Sequence, residues 1–273
     1  LIVNGFNRVC GPAYTLTSTT AGFLLDDDWG VEGGTNSSFC GRQVCFDRSQ
    51  GGKEGAGALG HSGMDLMGKY IRGNTFDFPS VHGEAIAADG DISYVSASKQ
   101  AAKELDWCAY DAVDYICGLE RDSKCNLLPY KTFDKEIREK MADYSGGLLV
   151  SGAYIGSDMQ QKAERKFTSK VLNYEFHESI AYDKDSINGL KLMLPLQGDI
   201  DQDTYAVHHC DAIVPASDNA FAAFAYQNEL PAGVACAGKD RRTVCMGFPF
   251  EAIKGSELRA KAMHAIMQFI ISR

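Results

Sequence analysis

Gly147-Leu-Leu-Val-Ser-Gly-Ala-Tyr-Ile-Gly-Ser-Asp158 runs from apolar residues into small ones, and a polar, helix-patterned stretch, Met159 to Tyr174, follows at once. An apolar run bounded by turn residues is the signature of a strand buried on both faces. In an open α/β sheet, a strand that turns sharply into a helix does so at the carboxyl edge, where ligands and nucleophiles sit. The inner residues read Gly152-x-Tyr154-x-Gly156. An elbow of this kind usually presents Ser or Cys at its centre; here the centre is a tyrosine.

Reading outward from the elbow, Leu1 to Val9 forms an opening strand, Pro79 to Ala88 a short helix, and Ile92 to Ser98 a strand. Lys99 to Trp107 is then a helix and Ala112 to Gly118 a strand. Thr132 to Tyr144 is a helix with Thr132 as its cap, since Ile137 and Met141 share one face four residues apart. Strands alternating with helices require helical crossovers, hence a mostly parallel sheet. Beyond Tyr174 the rhythm changes. Lys191 to Leu196 reads as a strand, and Ala220–Tyr226, Gly233–Ala237 and Thr243–Phe248 read as antiparallel strands before a closing amphipathic helix, Ser256 to Ile270. Residues 10 to 60 are rich in Gly, Ser, Thr and Asp with weak periodicity, as in a long functional or mobile loop. The absence of an internal repeat or linker makes one domain of 273 residues the expectation.

Composition narrows the partners. A formal net charge of -9 argues against nucleic acid or an anionic membrane surface. No apolar run approaches the ~18 residues that span a bilayer. The chain opens at Leu1 without a signal-like segment, so a processed protein or an excised domain is expected. Among nine cysteines no CxxC occurs, which disfavours a zinc ribbon. Cys117, Cys236 and Cys245 lie in apolar strand-like runs and are expected to be buried thiols. Cys40 and Cys45, in a Gly-containing loop, are spaced for a local disulfide.

The order of these pieces resembles the class I glutamine-amidotransferase-like superfamily, whose fold is a flavodoxin-like three-layer α/β/α sandwich. Leu1 to Arg8, Gly73 to Pro79, Val81-His-Gly83, Leu148 to Asp158 and Val244 to Glu251 are similar to a group of exported bacterial proteins labelled xanthan lyases. Those proteins often carry fibronectin type III or golvesin-like modules. The resemblance implies a periplasmic, cell-surface or extracellular protein acting on polysaccharide or cell-wall material. Amidotransferases carry Cys at the elbow and His-Pro-Glu after a late strand. The matching positions here are Tyr154 and Phe248-Pro-Phe-Glu251, so the nucleophile and its base are both replaced. A phenol ionises near pH ~10 and cannot stand in for a thiolate. Glutamine hydrolysis is therefore not expected.

Carboxyl ends of adjacent strands converge on one crevice. They gather Asn4, Asn7 and Arg8, then Ser96 and Ser98, Glu120, then Ser151, Tyr154, Ser157 and Asp158, and finally Glu251. As a lyase, Tyr154 would exchange a proton and Arg8 hold a uronate carboxylate, with Asp158 or Glu251 as the acidic partner. Each has a plainer reading: Arg8 as an ion-pair partner, Asp158 as the cap of the following helix, Ser96 and Ser98 as backbone-bonding residues, Glu251 as a solvated acid. A second cluster joins Asp77, His82 and Glu84, either as a metal or general-base pair or with His82 bonded to backbone. Asp26-Asp-Asp28 suits a solvated turn or calcium. Strand alternation keeps His208 and His209 from sharing a ligand. Ser151 with Asp183 or Asp185 and His208 matches a hydrolase triad in order only. No cofactor or metal is expected. The rival to a polysaccharide lyase or hydrolase is a non-catalytic carbohydrate-binding or scaffold domain, with Trp29, Tyr70, Phe76 and Phe78 as candidate stacking rings.

Overall fold

The computed structural model describes residues 1–6, 14–16, 21–23, 78–88, 90–122, 131–181, 186–189, 197–199, 207 and 209–272. Arg8, Asp77, Asp26 to Asp28, Cys40, Cys45, Trp29, Tyr70, Phe76, Asp183, Asp185, Lys191 to Leu196 and His208 lie outside them.

The strands are β1 (Ile2–Asn4), β2 (Tyr14–Leu16), β3 (Ala21–Phe23), β4 (Ser96–Ser98), β5 (Ala112–Gly118), β6 (Gly147–Gly152), β7 (Tyr174–Ala181), β8 (Ser186–Gly189), β9 (Gln197–Asp199), β10 (His209–Pro215), β11 (Ala220–Tyr226), β12 (Pro231–Ala237) and β13 (Arg242–Met246). The helices are α1 (Phe78–Ala87), α2 (Lys99–Glu104), α3 (Lys135–Asp143), α4 (Lys162–Phe167) and α5 (Ser256–Ile271). Among the described residues, nine strands form the main sheet in the order β4-β1-β5-β6-β13-β12-β11-β8-β9, while β7 pairs with β10 and β2 with β3 in separate ribbons. The first five strands of that order are mutually parallel and the rest antiparallel. Counted among themselves in chain order, the parallel strands run 2-1-3-4-5. The sheet changes character at β13, which faces both ways: it is parallel to β6 and antiparallel to β12.

Period-two alternation divides the core. Ile2, Ile116, Leu149, Val244 and Met246 point to one face, where Ile86 of α1 and Ala262, Met263 and Ile266 of α5 cover them. Val3, Val113, Tyr115, Leu148, Val150 and Cys245 point to the other, under Ala102 of α2, Ile137 and Met141 of α3 and Phe167 of α4. Helices therefore lie on both faces. Each fully buried aliphatic side chain contributes about 1.5–3 kcal/mol.

Helix ends differ from expectation in two places. Asp134, not Thr132, caps α3: its carboxylate accepts the Ile137 N–H at 3.1 Å. α4 starts at Lys162 with Gln161 and Glu164 in a capping box, so Asp158 does not cap it. That helix continues as a π-helical turn, Thr168–Leu172, and stops at Asn173, whose φ of 62° is left-handed. Tyr94 and Val95 lead into β4 as exposed chain, so the expected strand from Ile92 is ladder-paired only over Ser96–Ser98.

Candidate functional site

The elbow follows β6 as a turn, Ala153 to Asp158. Its backbone donors do not face an empty cradle. Gly156 N–H and Ser157 N–H both donate to Asp211 Oδ2, at 2.8 and 2.7 Å, and Ser179 Oγ donates to Asp211 Oδ1 at 2.9 Å. Asp211 is wholly buried on β10, directly across from Ser179 on β7. Burial raises its pKa and the three donors oppose that rise; the balance stands at about 6. A Cβ at Gly156 would meet the Phe176 ring at 2.8 Å, so the approach of the β7–β10 ribbon requires glycine there. A Cβ on Gly247 would collide with the Asp211 carbonyl oxygen, fixing a second close approach.

Tyr154 is 9% exposed and belongs to the core with Phe6 and Phe78. The Arg121 guanidinium, just past β5, lies 4.4 Å from the centre of its ring. Arg121 also donates through Nε (3.2 Å) and Nη2 (2.7 Å) to Asp158 Oδ1, while Asp158 Oδ2 accepts from Asp122 N at 2.8 Å. Asp122 in turn accepts from Lys131 Nζ at 2.6 Å and Thr132 N at 2.9 Å, and Lys131 reaches Glu164 at 2.9 Å. Burial, then the Asp158 charge, push the Asp122 pKa up; Lys131 and Thr132 pull against them. Tyr154 and Asp158 thus meet through one arginine, and both oxygens of Asp158 are engaged in holding the chain after β5 to the elbow.

His82 is fully buried in α1 and bonds to side chains rather than backbone. Its Nδ1 lies 2.6 Å from Asp114 Oδ2 and its Nε2 3.1 Å from Glu251 Oε2, with the Phe250 ring 4.7 Å away. A neutral imidazole has a single N–H, so two carboxylate contacts fit the doubly protonated ring. Burial alone would lower the His82 pKa; the charge and hydrogen bond of Asp114, then those of Glu251, outweigh it and raise it to about 9. Glu251, in the 3-10 turn Phe250–Ala252 after β13, is accordingly buried rather than solvated. Glu84 is exposed and takes no part in this triad.

Asn4 is buried at the end of β1 and donates to the Phe6 carbonyl at 3.3 Å. Ser96 is exposed, and Ser98 caps α2 by accepting the Ala101 N–H at 3.2 Å. Glu120 and Ser151 are buried. Ser151 sits in the same sheet row as Asn4, one strand away across Ile116, and is inaccessible to a substrate in this state. Phe78, a candidate stacking ring, is buried edge-on against Phe6. Cys117 lies beneath the elbow, where a Cβ on Gly152 would come within 2.5 Å of it, yet burial pushes its thiol well above the usual range. A cavity of about 250 Å³ opens between α1 and α5, lined by Val81, Ala85, Glu84, Glu257, Arg259 and neighbours; no elbow residue lines it. No group of three or more His, Cys, Asp or Glu side chains among the described residues is arranged to hold a metal ion.

Asp114, Arg121 and Asp211 were not among the residues read from the sequence as candidates. Two of them carried a signal: an aspartate inside the apolar runs Val113–Cys117 and Cys210–Val214 has to find a partner when those runs are buried.

No protein-family model matches the sequence, and no curated protein matches it. Among solved structures, a cold-adapted β-galactosidase from Rahnella sp. R3 is similar at 15% identity and a TM-score of 0.46, over 69% of this chain and 26% of that one. A protein from Thermoplasma acidophilum described as a GMP synthase component is similar at 10% identity and a TM-score of 0.43, over 73% of this chain and 92% of the other. A cytoplasmic protein of Salmonella typhimurium LT2 is similar at 14% identity and a TM-score of 0.47, over 72% and 90%. This chain spans about a quarter of the length of the β-galactosidase.

Proposed function

We propose that this is a non-catalytic domain on the flavodoxin-like, class I glutamine amidotransferase-like architecture, serving an exported bacterial protein by binding polysaccharide or cell-wall carbohydrate. One observation carries the reading: the elbow is closed from within, its Gly156 N–H and Ser157 N–H both donating to the chain's own buried Asp211 rather than standing open to a ligand. Three others support it. Tyr154 stands where the nucleophile would be, Cys117 beneath it is a buried, high-pKa thiol, and Asp158 is spent on Arg121 and Asp122. The 2-1-3-4-5 order of the parallel strands agrees with the flavodoxin-like fold.

The rival is a lyase in which the Tyr154 phenol exchanges a proton while an arginine holds a uronate. Arg121 against the Tyr154 ring favours it, because a guanidinium at the reacting group is what such chemistry needs. One experiment separates the two. Titration of the protein with neutral and uronate-bearing polysaccharides, with product formation followed in parallel, is expected to give binding without bond cleavage. Glutamine is expected to remain intact. Cleavage that disappears in Tyr154→Phe would overturn the binding reading in favour of the lyase, and absence of both binding and cleavage would reject both.

A further inference from the structure

We infer that the cavity between α1 and α5 binds a small zwitterion, an amino acid with a short aliphatic side chain. The cavity measures about 250 Å³ and no elbow residue lines it, so the inference stands apart from the carbohydrate reading. Pockets for drug-sized ligands run to about 300–1,000 Å³, and this one suits a smaller molecule. Helical spacing explains how it forms. Val81 and Ala85 lie one turn apart on α1, with Ala88 just past its end, and Ser256 and Ala260 lie one turn apart on α5. Residues so spaced share a helix face. Short side chains on both facing stripes leave the space between the helices unfilled.

Charged groups of both signs line the same cavity. Arg259 is half-buried, and its Nη1 donates to the Ile253 carbonyl at 2.7 Å, which fixes the direction of the guanidinium. Among the described residues nothing else takes its Nε and Nη2, and these can hold a carboxylate. Gly255 gives α5 no side-chain cap, so the N–H groups of its first turn add donors beside Arg259. Glu84 has no hydrogen bond or ion pair among the described residues and is the acceptor for an ammonium. Glu257 is already paired with Lys261 at 2.9 Å. A simple anion would meet the Glu84 charge with nothing to offset it, and a simple cation would meet Arg259. A molecule with both charges answers both groups, and Val81, Ala85 and Ala260 receive its aliphatic part.

The test is a titration of the isotope-labelled protein with L-valine, followed by amide chemical shifts. Saturable shifts are expected at Ala85, Ala88 and the first turn of α5. Isovalerate, which lacks the ammonium, and isobutylamine, which lacks the carboxylate, are each expected to bind about tenfold more weakly, the loss of one charge-assisted hydrogen bond. Glu84→Gln, at an exposed position, is expected to weaken L-valine by a similar factor while leaving the circular dichroism unchanged and isovalerate no weaker. Arg259→Gln is expected to weaken L-valine and isovalerate together. The absence of saturable shifts up to the solubility limit of L-valine overturns the inference, as do shifts confined to other parts of the chain. Isovalerate or isobutylamine binding as tightly as L-valine also overturns it, and so does wild-type affinity in Glu84→Gln.

Discussion

Asp211 and His82 are buried charges handled in opposite ways. Around Asp211 the protein supplies neutral donors only, so burial prevails and the carboxyl titrates at about 6 instead of 3.8. Between those pH values the folded state holds a proton that the unfolded state has released. This group's contribution to stability is therefore complete below pH ~4 and is lost as pH rises through ~6. Asp211→Asn keeps an acceptor for the elbow N–H groups and an amide to meet Ser179. Its denaturation midpoint is expected to shift little, with the pH 4–6 dependence reduced. Asp211→Ala orphans two turn donors and is expected to cost about 2–4 kcal/mol in urea unfolding. Around His82 two carboxylates overcome burial and raise its pKa from 6.5 to about 9. Its contribution is fully present below pH ~6.5 and is lost as pH climbs through ~9, amounting to a few kcal/mol. His82→Ala leaves Asp114 and Glu251 buried without their cation and is expected to destabilise by about 3–5 kcal/mol. If that variant unfolds with wild-type pH dependence between 7 and 10, the proton does not reside on His82.

At the scale of elements, two adjacent arginines, Arg241 just before β13 and Arg242 at its first position, fasten helices on opposite faces. Arg241 donates to the Met141 carbonyl and, at 3.1 Å, to that of Tyr144, at the end of α3. Arg242 donates to the Phe269 carbonyl at 3.1 Å and to Ser272 Oγ at 2.5 Å, at the end of α5. Alternation along a strand sends neighbours to opposite faces, and a cation at a helix C-terminus meets carbonyls that lack intrahelical partners. In each arginine a single nitrogen, Nη1, makes both bonds; lysine keeps the charge but lacks the reach and fixed direction of the guanidinium. Arg241→Lys is expected to cost about 1 kcal/mol, with faster amide exchange confined to the last turn of α3. Arg242→Lys should leave α3 unchanged and loosen α5 instead. Faster exchange at the same helix in both variants would contradict the opposed placement.

At the scale of the molecule, one sheet with two covered faces forms two cores that share every central strand, and that predicts a single cooperative transition. The thiols report on it. Cys117, Cys210, Cys236 and Cys245 are buried while Cys108 is exposed. Alkylation of the native protein, read by mass spectrometry, is expected to modify Cys108 and spare those four until the fold opens; rapid native modification of Cys117 or Cys245 would break the strand assignments.

Much of this was written in the chain itself. The strands Ala112–Gly118 and Gly147–Gly152 and the helices beginning near Phe78 and Ser256 follow from local periodicity, which each segment carries regardless of its neighbours, and the parallel grouping of β4, β1, β5 and β6 from the alternation of strands with helices along the chain. Burial of Cys117, Cys236 and Cys245 follows equally, because an apolar strand at the centre of a sheet has no exposed face. The candidate site was legible only as a place. Sequence brought Tyr154 and Asp158 to one edge, but gave no sign that Asp158 would be claimed by Arg121, 37 positions away, or the elbow donors by Asp211, 55 positions from Gly156. His82 was read beside Asp77 and Glu84, its neighbours in the chain, whereas its partners are Asp114 and Glu251, 32 and 169 positions distant. Backbone periodicity is a local property and survives in a one-dimensional reading. The partner of a buried charge is settled by which strands the topology makes adjacent, and that is decided only when the whole sheet closes around it.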